Sequence, residues 1–364
     1  MQKSTIIKHA QILCALGNIE ETVESLSNGE SGIVPGPCYG VQVPYAPFPD
    51  KSLCTIEKIT SELNFQISNK YDSLLFIFSA AKGDLCDLEN SYHNKDISSA
   101  VNVLLESQMK RVSDLLGIRP SKSVAISSAC ASGSAAIDYA KDCLTLGLFS
   151  DVIIFGYDIV SEFIVKGFHC LSALSAQPAK PFDKFRTGLT LGDGAALLHL
   201  TYDYPQSGDI IIGGTGTSND ANHRTGPSRT GEGLLRAIQA ALADGSYSSN
   251  EIGAIKCHGT ATNYNDAMEA KALFSCFNTA IPPCVSFKGA IGHTSGAGSL
   301  LEIAIASEFL KRKYLPPTIG FDTKGIDEPL PVSDKIQLFD KNTILCLSAG
   351  FGGLNAAVII QEYN

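Results

Sequence analysis

The residues best suited to covalent chemistry lie in Ser127-Ser-Ala-Cys130-Ala-Ser-Gly-Ser-Ala-Ala136. An apolar run, Ser123–Ser128, leads straight into the cysteine, and small residues then open a helical stretch toward Leu144. A cysteine at a helix N-terminus meets free N–H groups and the positive end of the dipole, which lower a thiol's pKa. The same N–H groups can stabilise an oxyanion. This is the layout of a nucleophile elbow with sulfur in place of oxygen. On this segment alone, a buried inert cysteine in a tight strand–helix turn is an equal alternative.

Two histidine segments change that balance. Lys256-Cys-His258-Gly-Thr260-Ala-Thr262 ends a short apolar run and precedes Asn265, Asp266 and Glu269 on a helix. Lys288-Gly-Ala-Ile-Gly-His293 also follows a strand-like run and precedes an apolar helix that carries Glu302. Both histidines therefore fall at strand ends, where open α/β sheets place their sites. A lone histidine there is more often structural, but two beside a cysteine elbow are less easily dismissed. Cys130, His258 and His293 are far apart in sequence, so only the fold can bring them together.

The elements that must do so are legible as apolar runs. Leu74–Ser79, Ser123–Ser128, Val152–Phe155 and Ala195–Leu200 are continuous rather than alternating, as in strands covered on both faces. A second series runs through Asp209–Ile212, Ile255–Cys257, Cys284–Ser286, Thr343–Leu347 and Ala356–Ile360. Helical stretches are expected at Gly231–Asp244, Asp266–Phe277 and Ser295–Arg312, and a first strand from Ile6 leads toward a helix near Glu20. The polar segment Thr201–Gly208 divides the chain into halves, 1–205 and 206–364. Each half ends on a glycine-rich turn, two alanines and an apolar strand, a weak repeat. Residues 34–50 hold five prolines and read as a long loop.

Composition removes several function classes. With 44% hydrophobic and 18% charged residues the chain is globular, and a net charge of −9 offers no basic face for nucleic acid. The eleven cysteines include no Cys-x-x-Cys pair. They fit small buried hydrophobes in a reducing compartment, with no metal site implied. The apolar stretch Ile6–Leu16 is interrupted by Lys8, His9 and Gln11, so neither a membrane span nor a leader is expected, and a cytoplasmic location is.

Taken together, Ala129–Gly133, Pro181-Phe-Asp-Lys-Phe-Arg186-Thr-Gly188, Gly192–Ala195, Ser218–His223, His258–Thr262, Lys288–Glu302 and Gly350-Phe-Gly-Gly-Leu-Asn355 carry a family resemblance. The chain resembles the β-ketoacyl-acyl carrier protein synthases of the thiolase superfamily, in the Cys-His-His branch. The likeness covers about residues 120–364. Between Ile33 and about Pro120 little pattern matches, and the chain is shorter there than the family usually is.

The resemblance implies an α/β, thiolase-like five-layer αβαβα fold built from two similar halves. It implies decarboxylative Claisen condensation of malonyl-acyl carrier protein with an acyl group held on Cys130, in fatty acid or polyketide-type synthesis, polyene formation included. His258 and His293 would bind the malonyl thioester carbonyl, and the backbone N–H groups of Cys130 and Phe351 would hold the oxyanion. Lys288 and Glu302 match the family's buried pair, for which a structural ion pair is at least as good a reading as direct chemistry. Thr260, Thr262, Phe351 and Gly352 would contact the phosphopantetheine arm, with Phe351 free to swing as a gate. No cofactor is implied beyond the phosphopantetheine carried by the substrate.

The expected partners are acyl carrier protein and a second subunit, giving a homodimer or a heterodimer with a paralogous ketosynthase. A non-catalytic chain-length-factor-like partner subunit is the alternative, and the retained Cys130, His258, His293 and Lys288 weigh against it. A carrier landing patch could come from Lys110 and Arg111, from Lys180, Lys184 and Arg186, or from Arg224 and Arg229. Asp183 and Arg186 are expected to form a local salt-bridged turn. Asp220 and His223 lie in a loop that flanks the gate in the family, His169 is structural, and the other ten cysteines are core residues.

Overall fold

The computed structural model describes residues 2–63 and 71–364. Its strands are β1 (Ser4–Leu13), β2 (Tyr45–Ala46), β3 (Leu74–Ser79), β4 (Lys122–Ile126), β5 (Asp151–Asp158), β6 (Leu191–Gly192), β7 (Gly194–Asp203), β8 (Ile210–Asn219), β9 (Ala254–Lys256), β10 (Cys284–Val285), β11 (Tyr314–Leu315), β12 (Gln337–Leu338), β13 (Thr343–Gly350) and β14 (Leu354–Glu362). The α-helices are α1 (Ile19–Ser27), α2 (Ile56–Glu62), α3 (Leu85–Asn94), α4 (Leu105–Leu115), α5 (Ser132–Thr145), α6 (Glu162–Cys170), α7 (Glu232–Asp244), α8 (Asn263–Phe277), α9 (Lys288–Ile291) and α10 (Ser295–Arg312).

Ten strands form one sheet in the order β10-β9-β13-β14-β8-β1-β7-β5-β3-β4. Its two ends mirror each other. Outward from the middle, β1-β7-β5-β3-β4 and β8-β14-β13-β9-β10 both run from antiparallel pairs into three parallel strands. The halves join where Ile6 and Ile7 of β1 pair with Ile211 and Ile210 of β8. Helices α5 and α10 pack between the two halves, α2 and α4 cover the outer face of one, and α7 and α8 the outer face of the other. The fold is thus α/β and thiolase-like, with five layers.

Burial explains the apolar runs. All six residues of β3 are buried, because α5 covers one face and α4 the other. Helix α10 is apolar or small almost all round because it lies in the central layer. Leu300, Leu301, Ile303, Ile305, Phe309 and Leu310 have no exposed surface there. Each such side chain stabilises the fold by roughly 1.5–3 kcal/mol relative to an exposed one.

Three expectations need correction. Thr201–Asp203 continue strand β7, so the polar connection begins at Tyr204; ladder pairing to β1 outweighs the polarity of those residues. The proline-rich 34–50 segment contains β2, which pairs with β6 beside the central layer. Cys54 and Cys170 are exposed and Cys86 and Cys276 half-buried, so only Cys14, Cys38, Cys143, Cys257, Cys284 and Cys346 join Cys130 in the interior.

Candidate active site

Cys130 follows β4 through a turn in which Ala129 takes a positive φ of 50°. The Ser132 hydroxyl closes this turn, donating to the Ala129 carbonyl at 2.6 Å and accepting from the Ser128 N–H at 2.8 Å. Small residues are required because α5 approaches α10 closely. A Cβ on Gly133 would stand 2.5 Å from the backbone nitrogen of Leu300.

Helix-end stabilisation does not win at the sulfur. Burial pushes the Cys130 thiol up to about 11, while the Lys288 ammonium and the backbone N–H groups of Phe351 and Cys130 pull it down. The expected lowering is therefore reversed: removing a thiolate from water costs more than these groups return. The amides of Cys130 and Phe351 both lie within reach of the sulfur.

His293 reaches the sulfur from the loop between α9 and α10. Its N–H donates to the Thr190 carbonyl at 2.7 Å and its carbonyl accepts from the Gly192 N–H at 3.1 Å, which fixes the loop. The imidazole Nε2 lies 3.1 Å from Cys130 Sγ, and among the described residues the buried Nδ1 has no hydrogen-bond partner. An orphaned buried N–H is rarer than an orphaned acceptor, so the hydrogen is assigned to Nε2. Burial, then the Lys288 charge, drive the His293 pKa down to about 3.

His258 stands 5.5 Å away, ring centroid to centroid and edge-on. Its turn is held by Glu269 of α8, whose carboxylate accepts the N–H groups of His258 at 2.6 Å and Gly259 at 2.8 Å. Gly259 has φ +45°, and a Cβ there would lie 2.5 Å from Ser286 Cβ. Burial and the charge of Lys288 hold His258 well below the ordinary imidazole value. Both rings are therefore neutral at neutral pH.

Behind the histidines, Glu302 of α10 accepts from two lysines. One carboxylate oxygen binds the Lys288 ammonium, and the other binds Lys256 Nζ at 2.7 Å. Lys256 also donates to the Leu347 carbonyl of β13 at 2.7 Å. The expected Lys288–Glu302 pair is thus part of a buried Lys–Glu–Lys cluster. Sequence reasoning missed Lys256 and Glu269. The signal for Lys256 was a lysine ending a buried strand, two residues before His258.

A cavity of about 470 Å³ opens above the sulfur. Cys130, His258, His293, Thr260, Thr262 and Phe351 all line it. The Thr260 and Thr262 hydroxyls are 3.0 Å apart, and the Phe351 ring stacks on Phe168 at 5.5 Å. Asp220 and His223 also reach the wall. Lys288, Glu302 and Gly352 do not line it. The first two act from behind the histidines, and the Gly352 N–H and carbonyl are engaged by the Arg224 carbonyl and the Asn219 amide. Those groups are therefore already partnered within the chain and do not support the pantetheine contact expected of Gly352.

Arg186 pairs with Asp266 at 3.8 Å, while the Asp183 carboxylate accepts from the N–H groups of Phe185, Asp322 and Thr323. The local turn forms, with the Arg186 guanidinium donating to the Asp183 backbone carbonyl at 2.8 Å, but the expected carboxylate–guanidinium pair is replaced by Asp266 as the counter-charge of Arg186. Arg111 is engaged by Glu57 and Asp87. Of the candidate landing residues, the exposed Arg224 and Arg229 flank the stretch 225–227 at the cavity wall.

Comparison with known proteins agrees with this geometry. The family profile described as beta-ketoacyl synthase, N-terminal domain, matches residues 72–204, and its C-terminal counterpart matches residues 210–322. The 3-oxoacyl-[acyl-carrier-protein] synthase 2 of Vibrio cholerae is 31% identical over 258 residues, 66% of this chain and 62% of that one. The chloroplastic synthase II of Arabidopsis thaliana is 30% identical over 65% of this chain and 47% of its own. The chain thus spans under two-thirds of the length of these curated relatives. Among solved structures, a beta-ketoacyl synthase from Burkholderia phymatum superposes with a TM-score of 0.88 at 24% identity, covering 100% of both chains. A ketosynthase solved with its chain length factor from Xenorhabdus doucetiae gives 0.85 at 26%, covering 99% of this chain and 98% of that one.

Proposed function

The chain belongs to the β-ketoacyl synthase family, and from that premise we propose that it condenses malonyl-acyl carrier protein with an acyl group carried on Cys130. The observation that carries the proposal is the meeting of three groups at one sulfur, the His293 Nε2 and the amides of Cys130 and Phe351, with the His258 ring edge-on to His293 beside them.

In the first half-reaction Cys130 Sγ attacks the acyl thioester carbonyl. The oxyanion rests on the amides of Cys130 and Phe351, and collapse expels the carrier's thiolate, which takes the thiol proton. In the second, the malonyl thioester carbonyl accepts hydrogen bonds from the neutral His258 and His293. Loss of carbon dioxide leaves an enolate whose oxygen these donors stabilise. Its carbon attacks the Cys130 thioester, and collapse releases the β-ketoacyl carrier and regenerates the cysteine thiolate, which takes a proton from solvent. Low imidazole pKa values suit this role, because a donor that stays neutral is not lost to ionisation over the working pH range. Thr260 and Thr262, which line the cavity, are proposed to bind the phosphopantetheine arm, and no metal or organic cofactor enters the scheme.

The carrier is proposed to dock over Arg224 and Arg229 at the cavity mouth, which offsets the net charge of −9 locally. A second thiolase-like subunit, its own copy or a paralogue, is proposed to pair along β4. That strand lies at the sheet edge with every residue at least partly exposed. Among the described residues no helix is long and apolar enough to cross a membrane. Cytoplasmic location belongs to the proposal and rests on eleven free thiols. Fatty acid and polyketide-type pathways, polyene synthesis included, share this chemistry.

Mass spectrometry after incubation with acyl- and malonyl-acyl carrier protein tests the reading. Expected are an acyl adduct on Cys130, its loss in Cys130→Ser, and a condensed product. Acyl loading without condensation would instead indicate the partner-subunit role.

A further inference from the structure

Glu302 is a buried carboxylate paired with two ammonium groups, Lys256 and Lys288. Lys256 has no exposed surface, Lys288 and Glu302 are 2% exposed, and the three together carry one net positive charge inside the central layers. An interior charge surplus costs stability. Lys256 also ties three site-bearing elements to one ammonium. It sits at the end of β9, which delivers His258. It donates to Leu347 of β13, which leads to the Phe351 amide, and to Glu302 of α10, which begins just after His293.

We propose that Lys256 is a positioning residue of this site, whose charge frees the Lys288 ammonium from full neutralisation by Glu302 so that a positive field reaches Cys130 and the two histidines. The inference deepens the ketosynthase reading and concerns the same site. Without Lys256 the cluster would be a neutral Lys288–Glu302 pair, and the attraction of Lys288 for a thiolate at Cys130 would be offset by the carboxylate.

The charged and titratable groups facing the region are few. Lys288 of α9 and Glu302 of α10 act on Cys130 directly, with opposite signs. Glu269 of α8 faces both Lys256 and Lys288, and Cys346 of β13 faces Lys256. On the other side, Lys82 of the loop after β3, paired with Asp158 of β5, also feels Cys130. The Lys256 charge lowers both imidazoles in the same direction as Lys288 does.

The test is the rate of Cys130 alkylation by iodoacetamide against pH, followed by peptide mass spectrometry, which needs no carrier protein. Its outcome is therefore independent of whether the chain condenses thioesters. Lys256→Gln keeps a donor for the Leu347 carbonyl and removes the charge; Lys256→Arg keeps the charge. The glutamine variant is expected to alkylate roughly three- to tenfold more slowly at a given pH, its profile displaced to the alkaline side. The arginine variant is expected to follow the native profile. A folded glutamine variant whose profile superimposes on the native one overturns the proposal. If the glutamine variant fails to fold, an arginine variant displaced to the alkaline side overturns it equally, and one that superimposes supports it.

Discussion

Replacing His293 with glutamine should flatten the acid dependence of stability by a calculable amount. In the folded protein burial holds the His293 pKa down at about 3, against an ordinary 6.5. Between those values the unfolded chain binds a proton that the native site refuses. Stability contributed by the neutral ring is therefore complete above about pH 6.5 and is lost as pH falls toward 3. Each pH unit in that window removes about 1.4 kcal/mol, so lowering pH from 6.5 to 5 costs about 2 kcal/mol from this one ring. The figure holds for any native pKa well below 5, because only the unfolded value sets it.

His258 acts in the same direction. Asp193 and Asp266, raised by burial to about 6, and Glu269, raised to about 7, oppose both histidines, since the native state takes up their protons first. Total acid sensitivity thus mixes signs, and the informative quantity is the difference between two proteins. Urea unfolding of native protein and His293→Gln at pH 7 and pH 5 measures it. The variant should lose about 2 kcal/mol less than the native protein over that interval. Equal losses would mean that His293 is protonated in the fold at pH 5, and the neutral-donor mechanism would fall with it.

Three further outcomes follow from the packing. Glu302→Gln removes the carboxylate that two buried ammonium groups share and should cost about 3–5 kcal/mol in urea unfolding, with a loss under about 1 kcal/mol contradicting the buried cluster. Gly133→Val forces a side chain against the Leu300 backbone and should destabilise by about 1–3 kcal/mol or more, visible as a lower melting temperature. Phe168→Ala removes the ring stacked on Phe351 and should cost about 0.5–1.5 kcal/mol beyond its lost burial. In that variant Cys130 should also alkylate faster, and an unchanged rate would mean that Phe351 holds its place without the stack.

The sequence by itself determined the parts that depend on local pattern. Continuous apolar runs located the buried strands, because a strand covered on both faces cannot alternate. Ser127–Ala136 announced a strand–cysteine–helix turn, because only small residues let α5 lie against Leu300. The glycine settings marked His258 and His293, since Gly259 and Gly292 take positive φ beside them. Tertiary structure decided what charge and burial do. The helix end at Cys130 predicted a lowered thiol pKa, and burial reversed it. Asp183 and Arg186 looked like an ion pair, yet Arg186 reaches only the Asp183 carbonyl and finds its carboxylate in Asp266 of α8. Lys256 passed as one more residue of a strand until α10 and β13 placed Glu302 and Leu347 at its ammonium. Periodicity is written along the chain, but desolvation and ion pairing depend on which distant residues share an interior, and only the assembled layers set that.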